Sequence, residues 1–238
     1  MRAAIRTITI ALTSLALVLV AGPKTAQAAE PLDVVATTGM IADAAREVGG
    51  ARVEVRNLMG PGIDPHAYRQ TRSDIVAMAS ADLVLWHGLY LEAQMEDFLR
   101  ELTEERPVVA VAETLPKDRL IAHDDYADKH DPHVWMNPDL WAEVVVAVRD
   151  ALISVSPADA ATFRANADAH LAELKTLAGY TTDVLASVPE DSRVLLTAHD
   201  AFNYFGVTYG FEVVGIQGIS TESEAGLKRI SELVDMLV

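Results

Sequence analysis

Residues 158–185 read ADAATFRANADAHLAELKTLAGYTTDVL, a stretch with no proline and one glycine, Gly179. One glycine weakens a helix only modestly. Ser156-Pro157 just ahead is a start signal, because proline suits the first helical turn. The stretch predicts a single helix of roughly 28 residues, about 42 Å long at the standard rise. A helix that long and that polar is more natural as a spine joining two lobes than as part of one compact domain. The chain then divides into a leader at 1–28, an N-terminal α/β lobe at 29–156, a linking helix at 157–188 and a partial C-terminal α/β lobe at 189–238.

Upstream of the spine, strands and helices alternate. Leu32–Thr37 reads as a short buried strand, and Thr38–Gly50 as a helix stopped by Gly49-Gly50. Val53–Leu58 alternates like a strand. Thr71 is an N-cap, with Asp74 three residues on, for a helix to about Ala79. Leu83–Trp86 is a strand, Leu91–Leu102 an amphipathic helix, and Val108–Ala112 a fourth strand. Asn137-Pro138 caps a helix running to about Val155. This alternation predicts a parallel sheet with helices on both faces, and in such sheets ligands bind outside the carboxyl ends of the strands.

After Pro189 the pattern restarts with a strand at Val194–Thr197, a helix at Ala201–Tyr209, a strand at Phe211–Ile216 and a helix at Glu222–Leu237. Two strands bury little on their own, so this lobe is either unusually small or incomplete. The fold class is α/β, with two lobes of parallel β-sheet flanked by helices, joined by one long backbone helix.

Arg2 and Arg6 precede an apolar run from Ile8 to Val20, and Ala26-Gln27-Ala28 matches a small-x-small cleavage site. The run is short for a membrane span, so 1–28 reads as a secretory signal peptide. Losing Arg2, Arg6 and Lys24 with it would take the formal charge from −16 to −19. That surface disfavours nucleic acid. Zero cysteines exclude disulfides, thiolate ligands and cysteine nucleophiles. They also lead to the expectation of a monomeric periplasmic protein with no lipid anchor.

The chemistry lies in the seven histidines. Asp64-Pro65-His66 and Asp131-Pro132-His133 repeat one tripeptide, in which proline stiffens the turn that presents the histidine. His199 falls two residues beyond a strand. Scattered imidazoles of this kind suit zinc, manganese and other first-row ions. On pattern alone, three ordinary polar loop histidines are the favoured account, with a metal site the alternative. Asp64 reads as a turn initiator. Asp131 reads either so or as a hydrogen-bond acceptor for a ligand histidine. His87 reads as a structural histidine behind a strand. His123 and His130 read as members of a solvated acidic loop, His170 as exposed on the spine, and Trp86, Trp135 and Trp141 as packing residues.

Three stretches together resemble the metal-binding solute-binding proteins of ATP-driven zinc and manganese importers, the TroA-like, helical-backbone family. They are Gly62-Ile63-Asp64-Pro65-His66-Ala67-Tyr68, Asp131-Pro132-His133-Val134-Trp135 and Leu196-Thr197-Ala198-His199-Asp200-Ala201-Phe202. Gly215–Glu224 also looks like this family. The resemblance implies a metal in the cleft between the lobes, held by His66 and His133 from the first lobe and His199 from the second. The transported ligand would be Zn2+ or Mn2+, and the partner an ABC permease membrane subunit. Histidine at 199, where manganese-type members often have glutamate, looks like the zinc or mixed branch. The family's usual fourth ligand is an aspartate late in the second lobe, beyond Val238, which implies C-terminal truncation. The rival is a three-histidine zinc hydrolase or hydratase, for which Glu222 and Glu224 are the nearest candidate bases.

Overall fold

Val34, Val35 and Ala36 are almost wholly buried because their strand, β1 (Leu32–Ala36), lies inside a sheet covered on both faces. This computed structural model describes residues 30–123 and 128–222, with Gly226, Ile230, Ser231, Val234 and Asp235. After β1 come α1 (Gly39–Gly49), β2 (Val53–Asn57), α2 (Arg72–Ser80), β3 (Leu83–Trp86), α3 (Glu96–Leu102) and β4 (Val108–Ala110). The four strands are parallel, in the order β2-β1-β3-β4. Alternation along the central strands splits the core in two. Val34, Ala36, Leu83 and Leu85 face α1, whereas Val35, Val84 and Trp86 face α2 and α3.

The local signals act as expected at two helix starts. Thr71 and Asp74 form a reciprocal capping box on α2. The Asn137 side chain accepts the backbone N–H groups of Asp139 and Leu140 at the start of α4 (Pro138–Val155). Two elements are shorter than the pattern predicts. Residues 91–95 are turns and the helix begins only at Glu96. The fourth strand stops at Ala110, where a 3-10 turn over Val111–Thr114 takes the chain off the sheet.

The long helix, α5, runs Ala160–Ala186. Its start is fixed to the first lobe. Arg52 makes a two-point ion pair with Asp159, at 2.8 and 3.1 Å, and Asn166 donates to the Val48 carbonyl. Phe163 and Ala167 are fully buried against α1 and α4, while Leu177, Tyr180 and Val184 farther along are exposed. Beyond α5, β5 (Val194–His199), α6 (Asn203–Tyr209) and β6 (Glu212–Gln217) form a two-stranded parallel unit. It carries exposed apolar residues such as Val194 and Val207. β5 continues through His199, which is its last residue and pairs with Gln217. The leader and most of the helix expected at Glu222–Leu237 lie outside the described residues.

Candidate metal centre

Both Asp-Pro-His turns make the same side-chain-to-backbone hydrogen bond. In each, an aspartate Oδ1 accepts the N–H of the histidine two residues on, at 3.0 Å for Asp64 to His66 and 2.9 Å for Asp131 to His133. Proline between them limits the turn to one path. The first turn follows β2, and the second follows an antiparallel bridge between Ala122 and His130. Their histidines meet with Nε2 atoms 3.3 Å apart. His199 arrives from the end of β5, and one ligand atom from each of the three lies within 4.8 Å of the others. A tetrahedral ion bound at about 2.0–2.1 Å holds its nitrogens about 3.3–3.4 Å apart, which the His66–His133 pair matches. The three rings line a cleft of about 460 Å³ whose other walls include Leu91, Trp135 and Phe202.

The electrostatics keep the imidazoles ready to ligate. Burial, and then the neighbouring His133, pull His66 down from 6.5 to about 4, against an opposing pull from Asp64. Burial and His133 also lower His199. Neutral imidazole is the ligating form. Asp131 Oδ1 lies 2.7 Å from His133 Nδ1, so it accepts that N–H and leaves the Nε2 lone pair facing His66. This settles Asp131, which the sequence left open between turn former and acceptor. It is both. Asp64 has only the turn role on its own histidine.

Each aspartate also reaches across the cleft with its other oxygen. Asp64 Oδ2 accepts the Thr221 hydroxyl at 2.6 Å, and Asp131 Oδ2 accepts Asn203 Nδ2 at 3.0 Å. The Tyr204 hydroxyl donates to the Asp131 carbonyl and accepts the Ile121 N–H. Thr221, Asn203 and Tyr204 escape sequence reasoning, since nothing in their neighbours marks them as partners of residues so far upstream. Glu92, fully buried below the site, escapes it too.

The remaining histidines divide. His87 is wholly buried, as a structural histidine should be, and its ring meets Trp135 edge-on. His123 is buried and not solvated, and its backbone N–H bonds the Lys129 carbonyl. His170 is only partly exposed. Trp86 and Trp141 are core residues. Glu222 accepts Gln94 Nε2 at the surface, and Glu224 lies outside the described residues.

Two loop imidazoles beside one parallel α/β sheet, met in a cleft by a third from the end of β5 in another, define a metal-binding solute-binding protein. Residues 34–238 match the family model described as ZnuA, zinc-uptake complex component A periplasmic, and the chain belongs to that family. It is 46% identical over 208 residues to the manganese-binding lipoprotein MntA of Bacillus subtilis (strain 168), covering 87% of this chain and 68% of that protein. It is 42% identical over 200 residues to the zinc-binding protein TroA of Treponema pallidum (strain Nichols), covering 84% of this chain and 64% of TroA. The solved structure of the Treponema pallidum protein superposes with a TM-score of 0.84 at 40% identity, over 87% of this chain and 74% of that one. The chain thus spans about two thirds of the length of these curated relatives. One expectation is overturned. MntA is named a lipoprotein, as are streptococcal relatives at 27% identity, so the expectation of a protein without a lipid anchor does not stand. The missing cysteine describes these 238 residues and carries no weight against the anchored relatives.

Proposed function

We propose that this chain captures a divalent transition-metal ion at His66, His133 and His199 and passes it to the membrane permease of an ATP-driven importer. The observation that carries the reading is the convergence of three imidazoles from three separate segments, with ligand atoms within 4.8 Å of one another. Relatives named for manganese and zinc support the cargo class. Three neutral nitrogens favour zinc over manganese, which prefers carboxylate oxygen. Residues 29–156 and 189–238 act as the two lobes and 157–188 as their connection, with 1–28 directing export. The protein works as a monomer without nucleic acid, in keeping with its net charge of −16.

It is a carrier and not an enzyme. A hydrolase needs a base beside the bound water, and the carboxylate of Glu222 is instead engaged by Gln94. A competition titration with Zn2+ and Mn2+, run beside hydrolase and hydratase assays, tests this. One tight ion per chain, weakened at least about tenfold by His66→Ala, His133→Ala or His199→Ala, is expected, since losing a ligand should exceed the effect of losing a supporting group. His170→Ala should leave affinity unchanged. Turnover that disappears in His199→Ala would sink the carrier reading.

A further inference from the structure

Between β1 and β3 the order of the first sheet reverses, with β2 on one side and β3 and β4 on the other. An open parallel sheet leaves a crevice at such a point, just beyond the strand ends. Here a side chain of the protein fills it. Glu92 is fully buried. Its Oε1 accepts the Thr37 hydroxyl at 2.6 Å and the His87 N–H at 2.8 Å, and its Oε2 accepts the Gly88 N–H at 3.1 Å. Thr37 follows β1 and His87 follows β3, so one carboxylate ties the ends of both central strands.

The chain takes a costly path to place it. Gly88, Leu89 and Tyr90 have φ of 81°, 54° and 68°. Residues with side chains hold such angles only where surrounding contacts enforce them. This turn is the reason the helix expected from Leu91 starts late.

From His87 the contacts continue to the metal centre. Its Nε2 lies 2.6 Å from the Pro132 carbonyl, the middle residue of the second Asp-Pro-His turn. A carbonyl only accepts, so Nε2 carries the proton, and the buried Nδ1 has no hydrogen-bond partner among the described residues. The ring also stands edge-on to Trp135 at 5.3 Å, and Trp135 stands edge-on to His133 at 5.2 Å. Burial keeps the imidazole uncharged, pulling it down to about 3.

Resting on the metal-site reading above, we infer that Glu92 and His87 form a buried strut that positions the Asp131-Pro132-His133 turn, making both positioning residues for the captured ion. Glu92 fixes where β3 ends, and His87 carries that position to the backbone beside His133.

The test uses the full chain and Co2+, whose visible spectrum reports ligand geometry, with far-UV circular dichroism and a thermal melt on each variant. His87→Phe keeps a ring against Trp135 but removes the donor. It should fold, bind Co2+ about tenfold to a hundredfold more weakly, as lost supporting groups do, and shift the cobalt bands. His87→Gln, which restores an N–H, should recover most of that loss. Glu92→Gln keeps the volume but turns an amide N–H2 toward donors, and should fall between. If His87→Phe and Glu92→Gln melt earlier yet bind Co2+ with wild-type affinity and spectrum, the strut is only structural and the inference fails. Should His87→Phe not fold, failure of His87→Gln to bind better than Glu92→Gln overturns it equally. Undiminished Co2+ binding in His199→Ala would instead strike the site reading, which keeps the two failures apart.

Discussion

The two Asp-Pro-His turns share a tripeptide and one hydrogen bond but not a chemistry. In both, the aspartate accepts the histidine N–H two residues on and lends its second oxygen to a donor beyond α5. Only Asp131 also accepts its histidine's ring N–H. Asp131 is fully buried, while Asp64 is partly open to solvent. Local sequence thus sets the turn, and burial decides whether the carboxylate goes on to orient a ligand. In the second turn the tautomer of His133 is set by a neighbour inside the same tripeptide. In the first, the state of His66 is set by burial and by facing His133.

The sharpest way to break this comparison is to neutralise each aspartate. Asp131→Asn should lower zinc affinity about tenfold to a hundredfold, the usual cost of losing the group that orients a ligand imidazole. Asp64→Asn should lower it by less than about threefold, because its side-chain oxygen still accepts the His66 N–H. Competition titration against a chelator of known affinity measures both. Equal losses would mean that the ring contact of Asp131 adds nothing to the shared turn.

A second contrast is in pH. His66 sits at about 4 when folded and near 6.5 when unfolded. Between those values the unfolded chain binds the extra proton, so the metal-free protein should lose stability as pH falls from 6.5 toward 4 and lose no more from this group below it. The limiting slope is about 1.4 kcal/mol per pH unit for one group. Glu92, raised by burial to about 7, acts in the opposite direction, gaining stability for the fold as pH falls from 7 to its ordinary value. Comparing urea unfolding of wild type and His66→Gln across pH 4–7 cancels the Glu92 contribution. A slope unchanged by the substitution would show that His66 is not held neutral by its surroundings.

Much of this is legible in the sequence, and the exceptions share a cause. The capping box at Thr71 and the cap at Asn137 act over three residues, and both formed where the sequence placed them. The alternation of the first lobe is likewise local, and its four strands fall within a residue or two of expectation. The helix expected from Leu91 failed at its start because Glu92 answers to Thr37, 55 positions earlier. His123 reads as solvated among acids, but it is buried, with its backbone N–H paired to the Lys129 carbonyl. His66, His133 and His199 were nameable from their motifs, yet nothing in their spacing says that they meet, since each comes from a different strand end or turn. Thr221, Asn203 and Tyr204 were invisible for the same reason.

Those cross-cleft donors supply the most discriminating effect. Thr221→Val removes the hydroxyl from Asp64 Oδ2 while keeping the side chain's shape. The carboxylate is partly exposed, so water replaces the lost donor and the cost should be about 0.5–1 kcal/mol. Asn203→Ala takes the corresponding donor from Asp131, which is fully buried. A buried acceptor stripped of its donor costs more, about 1–3 kcal/mol. Because both bonds join segments on opposite sides of the cleft, their loss should appear in the zinc dissociation rate, measured by stopped-flow chelator capture, as well as in thermal stability. Thr221→Val should speed release by no more than about fivefold, matching a cost of at most about 1 kcal/mol, and Asn203→Ala by more. The reverse order would show that the Asp64 turn is the one that clasps the second lobe, and that burial does not rank the two turns.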